Sequence, residues 1–498
     1  MGGFRLLDLA KFFLPLLPEC ETSDEKISVD EKIMFTLGAG VIFLLGQLPV
    51  YGLVSQASFL LHDPISPFRS ILASEKGTLF ELGLLPAFTA AFVWQLAAGF
   101  KLINVNLNLR GDRELYQTGQ KLTSFLLAIV YAFGLIASGY YDDVLSGYNA
   151  LEDGIPYGKY FLVFLQVVSW SFITTLIIEV FDKGFAFGGG ALSLLAIQIA
   201  TNIIRETLGL DTFNLPNSDV QEPVGALAVI LRKIFSLDLT SLPGAIKSAF
   251  VRTNLPNLVQ LFVSILSVLI VMGLQNFRIE LPIRSTKVRG MANVFPIKLL
   301  YTGALPIIFA YTVLANVQLL GYYSIHLLQN FAPFLATILG SYTVDPSSND
   351  LVLTSGVLSY LVPPTGLINT ILTPIRSIIF STAVILLSTW FGYNWSFISG
   401  SSPKDIAKQF KDQGISMPGK RDVSITHELG RIIPVAAVLG AFMLAVVVLA
   451  AEFLGGGGRG AGIVAGVSAA LSVLEEFMVD LQQNGGVSQL ASAFTGGR

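Results

Sequence analysis

Apolar residues in this chain fall in long unbroken runs, and the polar residues collect between them. A helix rises about 1.5 Å per residue, so about 20 apolar residues cross the hydrocarbon of a bilayer. Ten runs approach that length, at 33–53, 79–100, 119–139, 157–181, 187–208, 254–276, 299–325, 374–395, 432–454 and 459–480. They predict ten membrane-spanning helices. Between the first two, HDPISPFRSILASEKG is too polar and too short to cross. It is either a small re-entrant or plugging segment or an exposed interfacial loop, because irregular backbone at membrane depth needs protein or water around it. The short apolar piece FAPFLATILGSYTV at 331–344 is expected to lie at the interface or partly buried, an eleventh span being the alternative.

The charges between the runs orient them. Connections at 101–118, 182–186, 278–298 and 396–431 carry most of the loop Lys and Arg, whereas 140–156 is acidic and 329–373 has neither Lys nor Arg. The positive-inside rule places the basic set, with both termini, in the cytosol. The connection at 209–253 runs against this, with four basic residues on the other side, but long loops cross largely regardless of charge. The most basic connection holds Arg278, Arg284, Lys287, Arg289 and Lys298 against Glu280 alone, and Pro282 and Gly290 keep it from forming one helix. Such a loop either binds an anionic partner or fixes topology.

Composition agrees with a polytopic membrane protein: 53% of the 498 residues are hydrophobic, 13% are charged, and mean hydropathy is +0.67. Cys20 alone excludes an intrachain disulfide and any cysteine-rich metal site, and His62, His326 and His427 have no ligand spacing. The start, FRLLDLAKFFLPLLPE, carries Asp8 and Lys11 within its apolar pattern and is broken by Pro15 and Pro18, so it does not read as a cleavable signal. Phe4, Leu7, Ala10 and Leu14 recur at helical spacing and predict a short amphipathic helix on the membrane surface.

Glycines open the fifth and tenth runs, Gly188 to Gly190 and Gly455 to Gly458. Corresponding positions suggest two five-helix halves, inverted because five crossings reverse the side of entry; two unrelated flexible turns are the other explanation. Glu81, Glu179, Asp182, Arg205, Glu206 and Arg376 fall near run ends rather than centres. An uncharged pathway suits an unfolded chain better than an ion-coupled solute. A secondary transporter for a small solute remains the alternative, since an inverted repeat permits it. No convergent Ser/His/Asp, paired carboxylates or metal cluster supports an enzyme.

Specific motifs then carry a resemblance over nearly the whole length. They are RLLDLAKFFLPLLPE, GQLPVYG, GTLFELGLLP, DRELYQ, DKGFAFGGG, RTNLPN, ELPIRSTKVRG with PIKLLYTG after it, and SGSSPKDIAKQFKDQG. In this order they resemble the alpha subunit of the Sec protein-conducting channel, the SecY family, in its eukaryotic form. SGSSPKDIAKQFKDQG and YTGALPIIFAYTVL are nearer the second translocon paralogue of yeasts.

The resemblance implies an all-α polytopic membrane protein with ten transmembrane helices in two inverted five-helix halves. It divides the chain into a cytosolic segment 1–32, a first half 33–208 with a plug at 63–74, a lumenal connection 209–253, a second half 254–480 and a cytosolic tail 481–498. It implies a pore-forming subunit of the endoplasmic reticulum channel that translocates secretory proteins co-translationally and releases membrane proteins sideways. Ribosome docking falls to Lys287 and Arg289 in the first basic loop and to Lys404, Lys408, Lys411, Lys420 and Arg421 in the second, contacting ribosomal RNA of the large subunit. The plug includes Asp63, Pro64, Arg69, Ile71 and Leu72. The pore ring is Leu84, Phe88, Ala191, Leu195, Ile308, Val464 and Ala465; Phe88 is bulkier, and Ala191 and Ala465 smaller, than the aliphatic residues usual in the family. The lateral gate is Thr89, Tyr131 and Asn316. Expected partners are signal sequences, nascent chains, membrane lipids and single-span beta and gamma subunits in a heterotrimer, with no cofactor or metal.

Overall fold

A computed structural model describes residues 11–483 apart from 14, 16, 22–26, 55–60, 104, 106–108, 146–156, 215–220, 236–241, 253–255, 286–291, 345–350, 365, 399–402, 414, 417–421 and 457. Helices occupy all ten predicted runs. In chain order these spans are Val29–Leu44, Leu85–Gly99, Arg110–Ala137, Tyr157–Asp182, Gly190–Leu208, Leu258–Asn276, Leu305–Phe331, Pro374–Ile398, Asp422–Ala451 and Gly460–Gln483. Seven stretches within them are long and apolar enough to cross a membrane by length and composition alone. The first and second helices are shorter, and the fifth carries Arg205 and Glu206.

Several ends differ from the hydropathy runs, for identifiable reasons. The first helix stops near 44 because Pro49 and Gly52, at φ +101°, turn the chain; there Pro49 pairs with Thr78 in an isolated bridge. The second begins at Leu85 rather than 79, since Gly83 takes φ +53° and Pro86 favours a helix start. The third and ninth extend towards the basic connections by nine and ten mostly polar residues, 110–118 and 422–431, which hydropathy does not count. The piece at 331–344 does not span: Pro333–Leu339 is a two-turn helix, and Ser341–Val344 pairs antiparallel with Leu351–Ser355. Of the N-terminal amphipathic prediction, only Lys11 to Phe13 are described as helical; most of it lies outside the described residues.

Burial is arranged around the bundle axis. One core runs through both halves, from Phe43, Leu84 and Leu195 to Ile308, Phe391 and Val464. Outward faces stay apolar, as in Leu126, Val130 and Phe133 of the third span and Phe262, Ile265 and Leu269 of the sixth. These rows match acyl chains, where an exposed leucine carries no hydration cost.

The halves are related by inversion. Gly188 approaches Val473, whereas Ile199 further along the fifth span approaches Gly466 further back along the tenth, so the two helices run antiparallel. Each opens after a left-handed glycine, Gly188 at φ +82° and Gly458 at φ +87°. Each is also capped by a carboxylate at or just past the end of the preceding span. The Asp182 carboxylate accepts from the Gly190 amide at 2.8 Å, and that of Glu452 accepts from Gly458 at 2.6 Å and Ala461 at 3.0 Å, with Gly460 also bonded. A carboxylate at a helix start satisfies amides without an intrahelical partner and meets the positive dipole end. The acid stands eight residues before the first helical glycine in both copies, a signature the run pattern does not display.

Candidate functional site

The segment between the first two spans folds inward. A single 3-10 turn, Ser66–Phe68, is flanked by irregular backbone, and Asp63, Pro64, Ile71 and Leu72 are buried. Its apolar side joins the central core, while Arg69 carries the polar side. The guanidinium pairs with Asp63 and bonds Glu81 at 2.5 Å and the Tyr140 hydroxyl at 3.2 Å. It also donates to the Glu81 carbonyl at 3.0 Å. Two carboxylates around one cation meet the requirement that a buried charge be paired and hydrogen-bonded.

Glycines let this segment sit tightly. A Cβ at Gly458 would strike the Pro67 backbone, one at Gly462 the Ser70 side chain, and one at Gly83 the Leu72 carbonyl. The Leu72 carbonyl accepts from the Leu84 amide at 2.8 Å, and Phe68 meets Tyr311 edge-on at 6.0 Å. The segment therefore rests against the starts of the second and tenth spans and on the seventh. An exposed loop is not what forms.

The seven residues expected in the pore ring gather around that same core. Leu84, Phe88, Leu195, Ile308, Val464 and Ala465 are buried members of it, and Ala191 packs at its edge, partly exposed. Phe88 stacks on Phe92, whose ring meets Phe309 and Phe391 edge-on, so the bulky ring position continues into an aromatic column.

Thr89, Tyr131 and Asn316 also converge. Asn316 Nδ2 donates to Thr89 Oγ1 at 2.9 Å, and the Tyr131 hydroxyl donates to Asn316 Oδ1 at 2.5 Å. Thr89 Oγ1 donates in turn to the Leu85 carbonyl, and the Tyr323 hydroxyl to the Tyr131 carbonyl. A second, third and seventh helix from opposite halves are thus joined by neutral hydrogen bonds inside the bundle. Gly134 lets the third and seventh pack closely, for a Cβ there would enter the Tyr323 ring. Tyr323 and Gly134 are structural neighbours of these three residues that the sequence does not reveal; the partner of Tyr323 is a backbone carbonyl, which leaves no residue-type signal.

The two basic connections, separate in sequence, fold into one body. Residues Arg278–Ser285 and Ala292–Lys298 pair as an antiparallel hairpin, and Ile415–Ser416 adds a short third strand beside Arg284 and Ser285. Leu281 and Ile283 alternate with Pro282 and Arg284, the period of a half-buried strand. Helix Pro403–Gln413 lays Ile406 and Phe410 on Ile297, Leu429 and Ile433, and Phe410 meets Phe295 edge-on at 5.0 Å. Its other face exposes Lys404, Lys408 and Lys411, spaced by four and three and hence aligned. Lys287, Arg289, Lys420 and Arg421 lie outside the described residues. Lys298 is ion-paired with Glu475 near the end of the tenth span, which anchors the hairpin to the bundle.

The SecY family matches residues 78–474, and the plug domain of Sec61p matches residues 41–77. The chain is similar to a Sec sixty-one protein homolog of Saccharomyces cerevisiae, 38% identical with 98% of each chain covered. It is also similar to the protein transport protein Sec61 subunit alpha of Dictyostelium discoideum, 33% identical over 98% of this chain and all of the other. Among solved structures, the idle yeast Ssh1 complex bound to the yeast 80S ribosome superposes with a TM-score of 0.76 at 37% identity, covering 99% and 98% of the two chains.

Proposed function

The chain belongs to the SecY family, and from that premise we propose that it is the pore-forming subunit of the protein translocation channel of the endoplasmic reticulum membrane. It passes secretory chains across the membrane and releases hydrophobic segments sideways into the lipid. The observation that carries this reading is the buried segment 63–74, whose Arg69 pairs with Asp63 and donates to the Glu81 carbonyl while its apolar side joins the core shared by both halves. A transporter for a small solute has no use for a removable stopper of that size, and the transporter alternative is set aside.

Each part has a physical task. The apolar ring, Leu84, Phe88, Ala191, Leu195, Ile308, Val464 and Ala465, excludes ions by dewetting and holds no side chain of a passing polypeptide strongly. The plug, Asp63, Pro64, Arg69, Ile71 and Leu72, closes the idle path. Thr89, Tyr131 and Asn316 form the lateral gate. Interhelical hydrogen bonds in a membrane are worth about 0.6–2 kcal/mol each, weak enough for an arriving signal sequence to replace. No bond is made or broken in the cargo, and no cofactor or metal takes part.

Lys287, Arg289, Lys404, Lys408, Lys411, Lys420 and Arg421 dock the ribosome by neutralising phosphates of large-subunit RNA. Both termini and the basic body face the cytosol. Single-span beta and gamma subunits complete a heterotrimer, the latter clamping the halves. The experiment is co-sedimentation with ribosomes at graded salt: affinity falling linearly with salt on logarithmic axes, with a slope of about −0.7 to −0.9 per phosphate contact, is expected. Binding that is absent at low salt would remove the docking assignment.

A further inference from the structure

The connection between the halves, with four basic residues on the face away from the basic body, is the one place where the charge pattern opposes the topology. Its structure supplies a reason. Strands Thr212–Asn214 and Gln221–Pro223 form a small hairpin, followed by helices Ala226–Phe235 and Leu242–Val251. Ala226, Ala249 and Leu258 form a small core with Leu227, Ile230 and Leu261, which seats both helices on the start of the sixth span. Arg252 locks the arrangement by donating to the carbonyls of Pro223, Val224 and Pro256.

The faces turned away from this core are apolar. Leu231, Ile234 and Phe235 line up on the first helix and Ile246 and Phe250 on the second, and Phe235 is 81% exposed. They continue an interface already described: Phe250 stacks with Phe262 at 6.4 Å, and Phe262 belongs to the lipid-facing row of the sixth span. Arg232 and Lys247 are exposed, each next in sequence to an outward apolar residue. An apolar stripe flanked by cations and continuous with a lipid-facing surface is the pattern of a helix lying in the interface plane, about 5–10 Å into the headgroup and acyl boundary.

We infer that Ala226–Phe235 and Leu242–Val251 are membrane-surface anchors, with Leu231, Ile234, Phe235, Ile246 and Phe250 in the lipid of the leaflet opposite the basic body and Arg232 and Lys247 at its phosphates. Arg232, Lys247 and Arg252 then serve an interfacial fold rather than topology, and the link between the halves is tethered to the bilayer. The inference requires a membrane-embedded chain and does not depend on the channel activity.

The test uses the full chain with Cys20→Ala, purified and reconstituted in phosphatidylcholine vesicles containing one part in five phosphatidylserine. A nitroxide is attached at Phe235→Cys, at Leu266→Cys as a lipid-facing reference and at Lys404→Cys as a water-facing reference. Collision with oxygen and with a water-soluble nickel chelate is then measured. The label at 235 is expected to be shielded from nickel and open to oxygen, resembling 266. Nickel access equal to that at 404 would overturn the inference. So would shielding from both reagents, the mark of a protein surface covering the helices. Ribosome binding by the Phe235→Cys preparation, in which the basic body is unaltered, reports the channel assignment separately.

Discussion

Asn316 shows how much of the proposed gate rests on one side chain. Its amide receives from Tyr131 and donates to Thr89, so Asn316→Leu removes both bonds between helices of opposite halves. At about 1 kcal/mol each, the closed state loses about 2 kcal/mol, enough for roughly a thirtyfold shift in opening. The variant is expected to accept signal sequences of lower hydrophobicity in a graded reporter series; identical thresholds would count against the role. These three positions were legible only through the resemblance to the SecY family; that an uncharged polar residue in an apolar run needs a partner does not say which partner it finds. Glu452 was not, since it lies at a run's edge where charges are commonplace and its partners are backbone amides. Glu452→Ala orphans the amides of Gly458 and Ala461, at a cost of about 1–3 kcal/mol apiece. Thermal unfolding in detergent is expected at a clearly lower temperature than for the parent protein, whereas Glu452→Gln, which retains an acceptor, is expected to recover part of the loss.

Among the elements, the plug is held by polar and apolar contacts that can be tested apart. Arg69→Met leaves Asp63 and Glu81 as buried carboxylates without their cation, a change that typically costs about 3–5 kcal/mol. Phe88→Ala instead thins the ring and the aromatic column above it. Both are expected to raise ion conductance of the idle channel in planar bilayers, and unchanged conductance in either would remove that element from the seal. The inward course of the segment could only be narrowed to two options from its polarity; what decides it is the fit of Pro67 and Ser70 against Gly458 and Gly462, some 390 residues away in the chain. The basic hairpin was likewise read as non-helical from Pro282 and Gly290, but its pairing with the second basic loop depends on Phe295 meeting Phe410. Changing Lys404, Lys408 and Lys411 to Glu reverses one exposed face without touching Ile406 or Phe410. Ribosome affinity is expected to fall by about tenfold or more at physiological salt, with a shallower salt slope and unaltered insertion.

For the whole molecule, the ten runs and their order were readable because a bilayer imposes length on any helix that crosses it. Inversion was only suggested by glycines; the antiparallel fifth and tenth spans and the matching caps from Asp182 and Glu452 give it a physical form. In the proposed reading, a plugged, uncharged path lies between the two halves, which are joined by weak bonds on one side, with a cationic platform beyond it. The most direct measurement reconstitutes the chain with beta and gamma subunits in sealed vesicles and presents ribosomes carrying a nascent secretory protein. The account predicts that the nascent chain becomes protected from added protease, and that the protection is lost when Lys404, Lys408 and Lys411 are all changed to Glu. A nascent chain that stays fully digestible with the unaltered protein, although ribosomes are bound, would contradict it.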